Sequence, residues 1–303
     1  MRKRVYIALL AVLLAVGAVI CAVRWQAWFV IPDEPHWTGD TLQGVFHTPN
    51  EDNDSIATIL VLGDIHSRLT RTDYDTLAAR VPDADLVMQA GDWMERGQEY
   101  YRQLLLREWT NSALNGLPVI ACPGNHEYTK GVHKSISAAW SETFLHPANG
   151  PVGVPGASYW LDIPQMRIIA IDTNPLSHVV YLTRTLTWLR EAMYSAGDRA
   201  VVVIMHHPVL SAAKGRVNPA IYGTFRHALG QADLVIAGHD HLYARRTPFV
   251  MLNTAGRIKK QKKRLYYEVC DSVPVYGVLT NSQLTIHRMS DGVAIDSIYV
   301  KHD

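Results

Sequence analysis

The chain has 303 residues, 48% of them hydrophobic, with 29 Lys and Arg against 28 Asp and Glu and a net charge of +1. That apolar fraction excludes a disordered chain, 20 Gly and 15 Pro exclude collagen-like sequence, and three cysteines cannot build a multi-bridge disulfide framework. The near-balanced charge argues against a nucleic-acid-binding class, which needs a basic excess; the 14 histidines have no such bulk explanation.

Residues 1–30 hold Arg2, Lys3, Arg4 and Arg24 and no acid, so the rest of the chain carries 25 basic and 28 acidic residues. Between Arg4 and Arg24 runs an uncharged apolar stretch, residues 5–23. About 20 apolar residues span a bilayer core of roughly 30 Å. The run predicts one N-terminal transmembrane helix, with a cytoplasmic N-terminus set by the preceding basic residues and with Trp25, Trp28 and Phe29 as an interface belt. It is longer than the h-region of a cleaved signal peptide. The expectation is a signal anchor over 1–30 and an extracytoplasmic body, secreted if the segment is cleaved. Cys122 and Cys270 are then either a disulfide or two buried thiols.

Residues 31–55 are polar and rich in turn formers, and read as a linker or lead-in. From Ile56 to the C-terminus, one domain is expected. Short apolar runs at 56–62, 84–90, 117–122, 166–171, 200–205 and 232–237 predict strands buried on both faces. Helical patterns at 99–114, 183–196 and 218–229 alternate with them, which implies a layered α/β fold. The tail, at 249–256, 275–289 and 293–302, alternates apolar and polar residues and predicts strands of a second, partly antiparallel sheet packed on the first. Trp109, Trp140, Trp160 and Trp188 sit in apolar patterns and read as core.

The residues that close the apolar runs carry the chemistry. Gly63-Asp64-Ile65-His66 follows the first, Gly91-Asp92 the second and Gly124-Asn125-His126-Glu127 the third. His206-His207-Pro208 follows the fifth and Gly238-His239-Asp240-His241 the sixth. Ligands of open α/β sheets bind beyond the carboxyl ends of the strands, so these five ends converge. Asp64 and His66, and likewise His239 and His241, are spaced i, i+2, which in extended backbone puts both side chains on one face. Carboxylates, an amide and imidazoles together suit Zn, Mn or Fe. Seven donors exceed one tetrahedral ion and match a dinuclear site with a bridging carboxylate.

In that order, GDIH, GDWMERG, GNHE, HHP and GHDH resemble the five blocks of the calcineurin-like metallophosphoesterase superfamily, over about residues 56–245. The resemblance implies a four-layer α/β/β/α sandwich of two mixed sheets flanked by helices. It puts Asp64, His66 and His241 on one metal and Asn125, His206 and His239 on the other, with Asp92 bridging. Asp92 is followed by Trp93 and Met94, where similar purple acid phosphatases place a tyrosine ligand. Two cations lower the pKa of a bound water, and the resulting hydroxide attacks phosphorus in line. His126 is the expected general acid, with Glu127 orienting it or keeping it protonated. Arg96 reads either as a phosphate clamp or as a surface arginine, and Arg245 carries less weight. The basic run at 257–264 reads as a solvated loop, or else as an attractor for a polyanionic substrate or lipid headgroup. The expected activity is hydrolysis of phosphate monoesters; the alternatives are a phosphodiesterase on nucleotide or lipid-headgroup substrates and a non-catalytic, metal-stabilised binding module.

Overall fold

A computed structural model describes residues 46–49, 56–131, 134–217, 219–262 and 267–300, without the side chains of 219–223. The expected membrane span at 5–23 lies outside these residues, and among the described residues no helix is long and apolar enough to cross a membrane.

In chain order the elements are β1 (Phe46–His47), β2 (Thr58–Leu62), α1 (Arg71–Arg80), β3 (Leu86–Gln89), α2 (Glu99–Thr110), β4 (Val119–Ala121), α3 (Ala138–Ser141) and β5 (Phe144–Leu145). There follow β6 (Tyr159–Ile163), β7 (Met166–Ile171), α4 (Val179–Tyr194), β8 (Ala200–Met205), α5 (Pro219–Leu229) and β9 (Leu234–Ala237). The chain closes with β10 (Tyr243–Arg246), β11 (Phe249–Met251), β12 (Val269–Asp271), β13 (Val275–Thr280), β14 (Gln283–Arg288) and β15 (Ala294–Tyr299).

All six apolar runs are strands, but they do not form one sheet. The first sheet runs β15-β14-β13-β2-β3-β4 and the second β12-β10-β11-β9-β8-β7-β6. The second sheet is parallel at its centre and antiparallel at both edges, whereas the first is parallel from β2 to its β4 edge and antiparallel from β2 to β15. The tail therefore does not build a second sheet, as its alternation suggests. Residues 275–299 extend the first sheet through Leu60↔Val278 pairing, while 249–251 lie parallel to β9 in the second. Alternation marks a half-covered strand without saying which sheet it joins.

Three apolar layers follow from the side-chain directions. Ile59, Val61, Met88 and Ile120 meet Ile168, Val202, Ile204 and Ile236 between the sheets. Leu60, Leu62 and Val87 face α1 and α2 through Tyr74, Leu77, Leu105 and Trp109. Ile169, Ile171, Val203 and Met205 face α4 and α5 through Leu189, Trp188 and Phe225. This is a helix, sheet, sheet, helix stack. Trp109, Trp140 and Trp188 are buried, whereas Trp160 is only partly so and lies under the Arg167 guanidinium at 3.8 Å. Phe46, in the segment expected to be lead-in, is buried in stacking contact with Trp93 and Phe144. Turn-rich neighbours hide that two-residue strand in the sequence. Cys122 and Cys270 form no disulfide.

One polar tie crosses the inter-sheet core. The Tyr159 hydroxyl of β6 donates to the Ala121 carbonyl at 3.0 Å and accepts from the Ala121 N–H at 3.0 Å. It satisfies edge-strand groups of β4 that have no further strand to pair with. Tyr159→Phe is expected to cost about 1–3 kcal/mol, the penalty for unpaired buried backbone. Urea unfolding monitored by fluorescence measures it, and an unchanged midpoint refutes the tie.

Candidate metal centre

The strand ends of both sheets meet at the seam between them. Asp64 and His66 follow β2, Asp92 follows β3 and Asn125 follows β4, all in the first sheet; His206 follows β8 and His239 and His241 follow β9, in the second. Asp64, His66, Asp92, His206 and His241 are buried.

The backbone that delivers them is not extended. Asp64, His66, Asp92, His239 and His241 have φ between 50° and 71°, a region costly for residues with a Cβ. The i, i+2 pairs do reach one centre, but through left-handed turns rather than strand alternation. Hydrogen bonds hold those turns across neighbouring blocks: the N–H of Asp64 donates to Gly91 O, that of His66 to Asp92 O and that of His239 to Asp64 Oδ1. Gly91 turns with φ 80°, and a Cβ there would stand 2.6 Å from His206 Nδ1. Gly124 is needed for space alone, since its Cβ would lie 2.1 Å from Asp92 Oδ1.

Two donor sets share one carboxylate. In the first, His66 Nε2 stands 3.1 Å from His241 Nε2, 3.6 Å from Asp92 Oδ2 and 4.0 Å from Asp64 Oδ1. In the second, His206 Nε2 stands 3.2 Å from each of Asp92 Oδ2, Asn125 Oδ1 and His239 Nδ1. Donors about 2.1 Å from one ion lie about 3.0–4.2 Å apart, from right-angled to opposed, so both sets have the span of a metal site. Asp64 Oδ2 is buried without a hydrogen-bond partner, a costly state for a carboxylate that a cation relieves. The residues therefore fit two ions.

In His206 and His241 the other ring nitrogen is already committed. His206 Nδ1 lies 3.0 Å from the Ala90 carbonyl and His241 Nδ1 2.9 Å from the Arg257 carbonyl, which leaves each Nε2 lone pair facing the centre. Charge is uneven without ions. Burial lowers His206, but Asp92 and Asp64 outweigh it and push the ring up to about 9. Burial pushes Asp64 up to about 8. Burial opposes ionisation of Asp92 too, yet the charge and hydrogen bond of His206 hold it well below the usual carboxylate range. Burial drives His66 down to about 3 and His241 to about 4.

Around this centre the expected auxiliary residues have different fates. His126 is half-buried beside it, with Nδ1 2.5 Å from the Glu95 carbonyl and Nε2 4.0 Å from Asp92 Oδ2. Glu127 does not hold His126. It is fully buried and accepts the N–H groups of Asp92 at 2.9 Å, Met94 at 2.9 Å and Gly124 at 2.7 Å, tying the second block to the third. A carboxylate next in sequence to a histidine reads as its partner, but here the strand end turns the two apart. Arg96 is exposed on the loop after β3, with no side-chain hydrogen bond or ion pair recorded among the described residues. Arg245 is turned away, paired with Asp296 at 2.7 Å and with Glu268.

Four supporting residues were not singled out from sequence. Glu95 reaches His66 Nδ1 at 3.5 Å and Arg68 at 3.7 Å, and its own carbonyl holds His126. Asp240, buried between two proposed ligands, binds Ser211 Oγ and the N–H groups of Ala212 and Ala213. After β7, the one apolar run with no motif assigned, Asn174 Nδ2 donates to the carbonyls of Pro123 and Gly124, and Thr173 Oγ1 lies 2.7 Å from His207 Nδ1. The signal was present as Asp172-Thr173-Asn174 closing a buried strand.

The run at 257–264 is not simply solvated. Arg257 and Lys260 are exposed, but Lys259 and Lys262 are half-buried against the centre's flank. Lys262 Nζ donates to the carbonyls of Ser211 at 3.0 Å and Arg216 at 2.6 Å. Arg216 in turn sets its guanidinium on His239 Nε2.

Known proteins resemble this chain in sequence and fold. The family model of the calcineurin-like phosphoesterases matches residues 57–243. A glycerophosphodiester phosphodiesterase GpdQ of Enterobacter lignolyticus is 26% identical over 169 residues, 52% of this chain and 56% of the relative. The chain thus spans about half the length of that curated relative. Among solved structures, the purple acid phosphatase PPD1 of yellow lupin superposes with a TM-score of 0.56 at 14% identity, over 84% of this chain and 55% of that one. PhoD superposes with a TM-score of 0.57 at 12% identity, over 82% and 70%. At such identities the structural likeness is one of fold.

Proposed function

This chain belongs to the calcineurin-like phosphoesterase family, and on that premise we propose that it hydrolyses phosphate monoesters at a dinuclear metal centre, with His126 as proton donor. The observation that carries the reading is the sharing of Asp92 Oδ2 by two donor sets, 3.6 Å from His66 Nε2 and 3.2 Å from His206 Nε2. Asp64, His66 and His241 would hold one ion, Asn125, His206 and His239 the other, and Asp92 both. Mn, Fe and Zn all suit that donor set. Such a pair of ions supplies a water nucleophile near neutral pH and neutralises charge on phosphoryl oxygens.

The chain's own groups do the rest. Buried imidazoles and carboxylates keep water from all but the open face of the site. Since His126 Nδ1 donates to Glu95, the proton for the leaving alkoxide comes from Nε2, the nitrogen on the Asp92 side. The cationic wall beside the centre attracts the more highly charged monoesters over diesters. A second reading, hydrolysis of diesters, is favoured by the likeness to a glycerophosphodiester phosphodiesterase. The purified chain with Mn²⁺, offered a chromogenic monoester and diester beside Asp92→Ala, tests both; no metal-dependent turnover on either sinks the enzyme reading.

His126→Ala is expected to lower kcat on an alkyl phosphate about 10²- to 10⁴-fold. A nitrophenyl ester, whose leaving group needs no proton, should lose far less. Equal losses on both would refute the acid role. The apolar run at 5–23 underlies a further proposal, that the hydrolase is held at the outer face of a membrane. Protease accessibility on intact cells tests it.

A further inference from the structure

Two loops on the second-sheet side of the centre are zipped together. The N–H of Lys214 donates to Lys260 O and that of Lys262 to Ala212 O, and Ala213 pairs with Gln261 in an antiparallel bridge. Lys262 Nζ closes the joint on the carbonyls of Ser211 and Arg216. Asp240 ties the same loop to the block carrying His239 and His241. Side chains of this wall are overwhelmingly cationic: Lys214, Arg216, Arg257, Lys259 and Lys260, none of them in an ion pair among the described residues. Exposed like charges repel and ordinarily spread apart, yet here Lys259 is half-buried in the same wall as Arg216 and Arg257, its N–H on the His241 carbonyl.

Arg216 adds a second observation. Its guanidinium rests on His239 Nε2. His239 faces the donor set through Nδ1, 3.2 Å from His206 Nε2. A neutral imidazole carries one proton, so a ring that gives its Nδ1 lone pair to an ion keeps its proton on Nε2. That nitrogen then cannot accept from Arg216. The guanidinium loses its one side-chain partner among the described residues and is left at the edge of the centre, with donors turned to an anion.

We propose that Arg216 and Lys259 form a second anion site beside the metal centre, so that the preferred substrates are phosphate monoesters carrying a second phosphate. The inference rests on the monoester reading above and names its substrate class. The reacting phosphate lies on the metal-ligand residues and the second on the wall, where a planar guanidinium grips two phosphate oxygens at once. A soluble bisphosphate and a membrane lipid with a phosphorylated headgroup offer the same chemistry.

Calorimetric titration of inorganic diphosphate and of phosphate into the chain, with Mn²⁺ in excess, reads the site without turnover. Wild type should bind diphosphate about 10- to 100-fold more tightly than phosphate, the worth of one or two hydrogen bonds to charged groups. Arg216→Ala and Lys259→Ala should each remove most of that preference, and Arg216→Lys should keep part of it. No preference in wild type, or one that survives both alanine variants at unchanged melting temperature, overturns the proposal. In turnover, the kcat/KM ratio of a sugar bisphosphate to its monophosphate, and of a phosphatidylinositol bisphosphate to a phosphatidylinositol monophosphate in phosphatidylcholine vesicles, separates the two sources. A raised ratio in either arm that collapses in Arg216→Ala supports the wall; parity in both refutes it. Failure of the hydrolase reading looks different: wild type then turns over no ester, while the diphosphate titration still reports on the wall alone.

Discussion

Asp92→Asn is expected to lower kcat at least about a thousandfold and to reduce bound metal from two ions per chain to one or none. Asp92 Oδ2 lies within 3.6 Å of both histidine nitrogens that define the two donor sets. An amide keeps the shape but brings either a neutral oxygen or an N–H to that point, and neither bridges two cations. The loss corresponds to several kcal/mol of transition-state stabilisation, at about 1.4 kcal/mol per tenfold. Asp92 Oδ1 also accepts the His126 N–H at 2.9 Å, which an amide oxygen can still do, so the loop and the fold should survive. Metal analysis together with circular dichroism checks this. Two ions retained and a kcat within tenfold of wild type would remove Asp92 from the shared position.

Glu127→Ala has the second large effect, and it is a loss of structure. The carboxylate sits fully buried and takes three backbone N–H groups from the turns that carry Asp92 and Asn125. Each donor left unpaired costs about 1–3 kcal/mol, so about 3–9 kcal/mol of stability should go. Glu127→Gln should fall between, because its amide nitrogen must face one of the N–H donors. Were Glu127 the partner of His126, Glu127→Gln would shift the pH dependence of kcat and leave stability alone. The expected result is the reverse: a lower unfolding midpoint, weaker metal binding and an unmoved pH profile. Burial and the nearby Asp92 charge push this carboxyl up to about 8, a mark of a group enclosed for structural reasons as much as of one poised for chemistry.

The site was more legible than the scaffold. All seven expected ligands come together because each stands within four residues of the end of a buried apolar strand, and that pattern survives in one dimension. His206, not its neighbour His207, meets Asp92, Asn125 and His239. What sequence could not show was partnership across the chain. The tail strands joined both sheets, since alternation carries no address. Glu127 bonded backbone instead of its neighbour, and Lys262 of the charge run turned inward to cap two carbonyls. Asp240 and Asn174 went unnoticed because their partners lie 27 to 51 positions away.

The seam has a consequence for how the protein assembles. Each donor set draws from both sheets: Asp64, His66 and Asp92 with His241, and Asp92 and Asn125 with His206 and His239. Neither the first half of the chain nor the second owns a complete set. An ion held there would rivet the two layers, because its donor set is complete only once residues 175 positions apart have docked. Once in place, it locks the docking that made it possible.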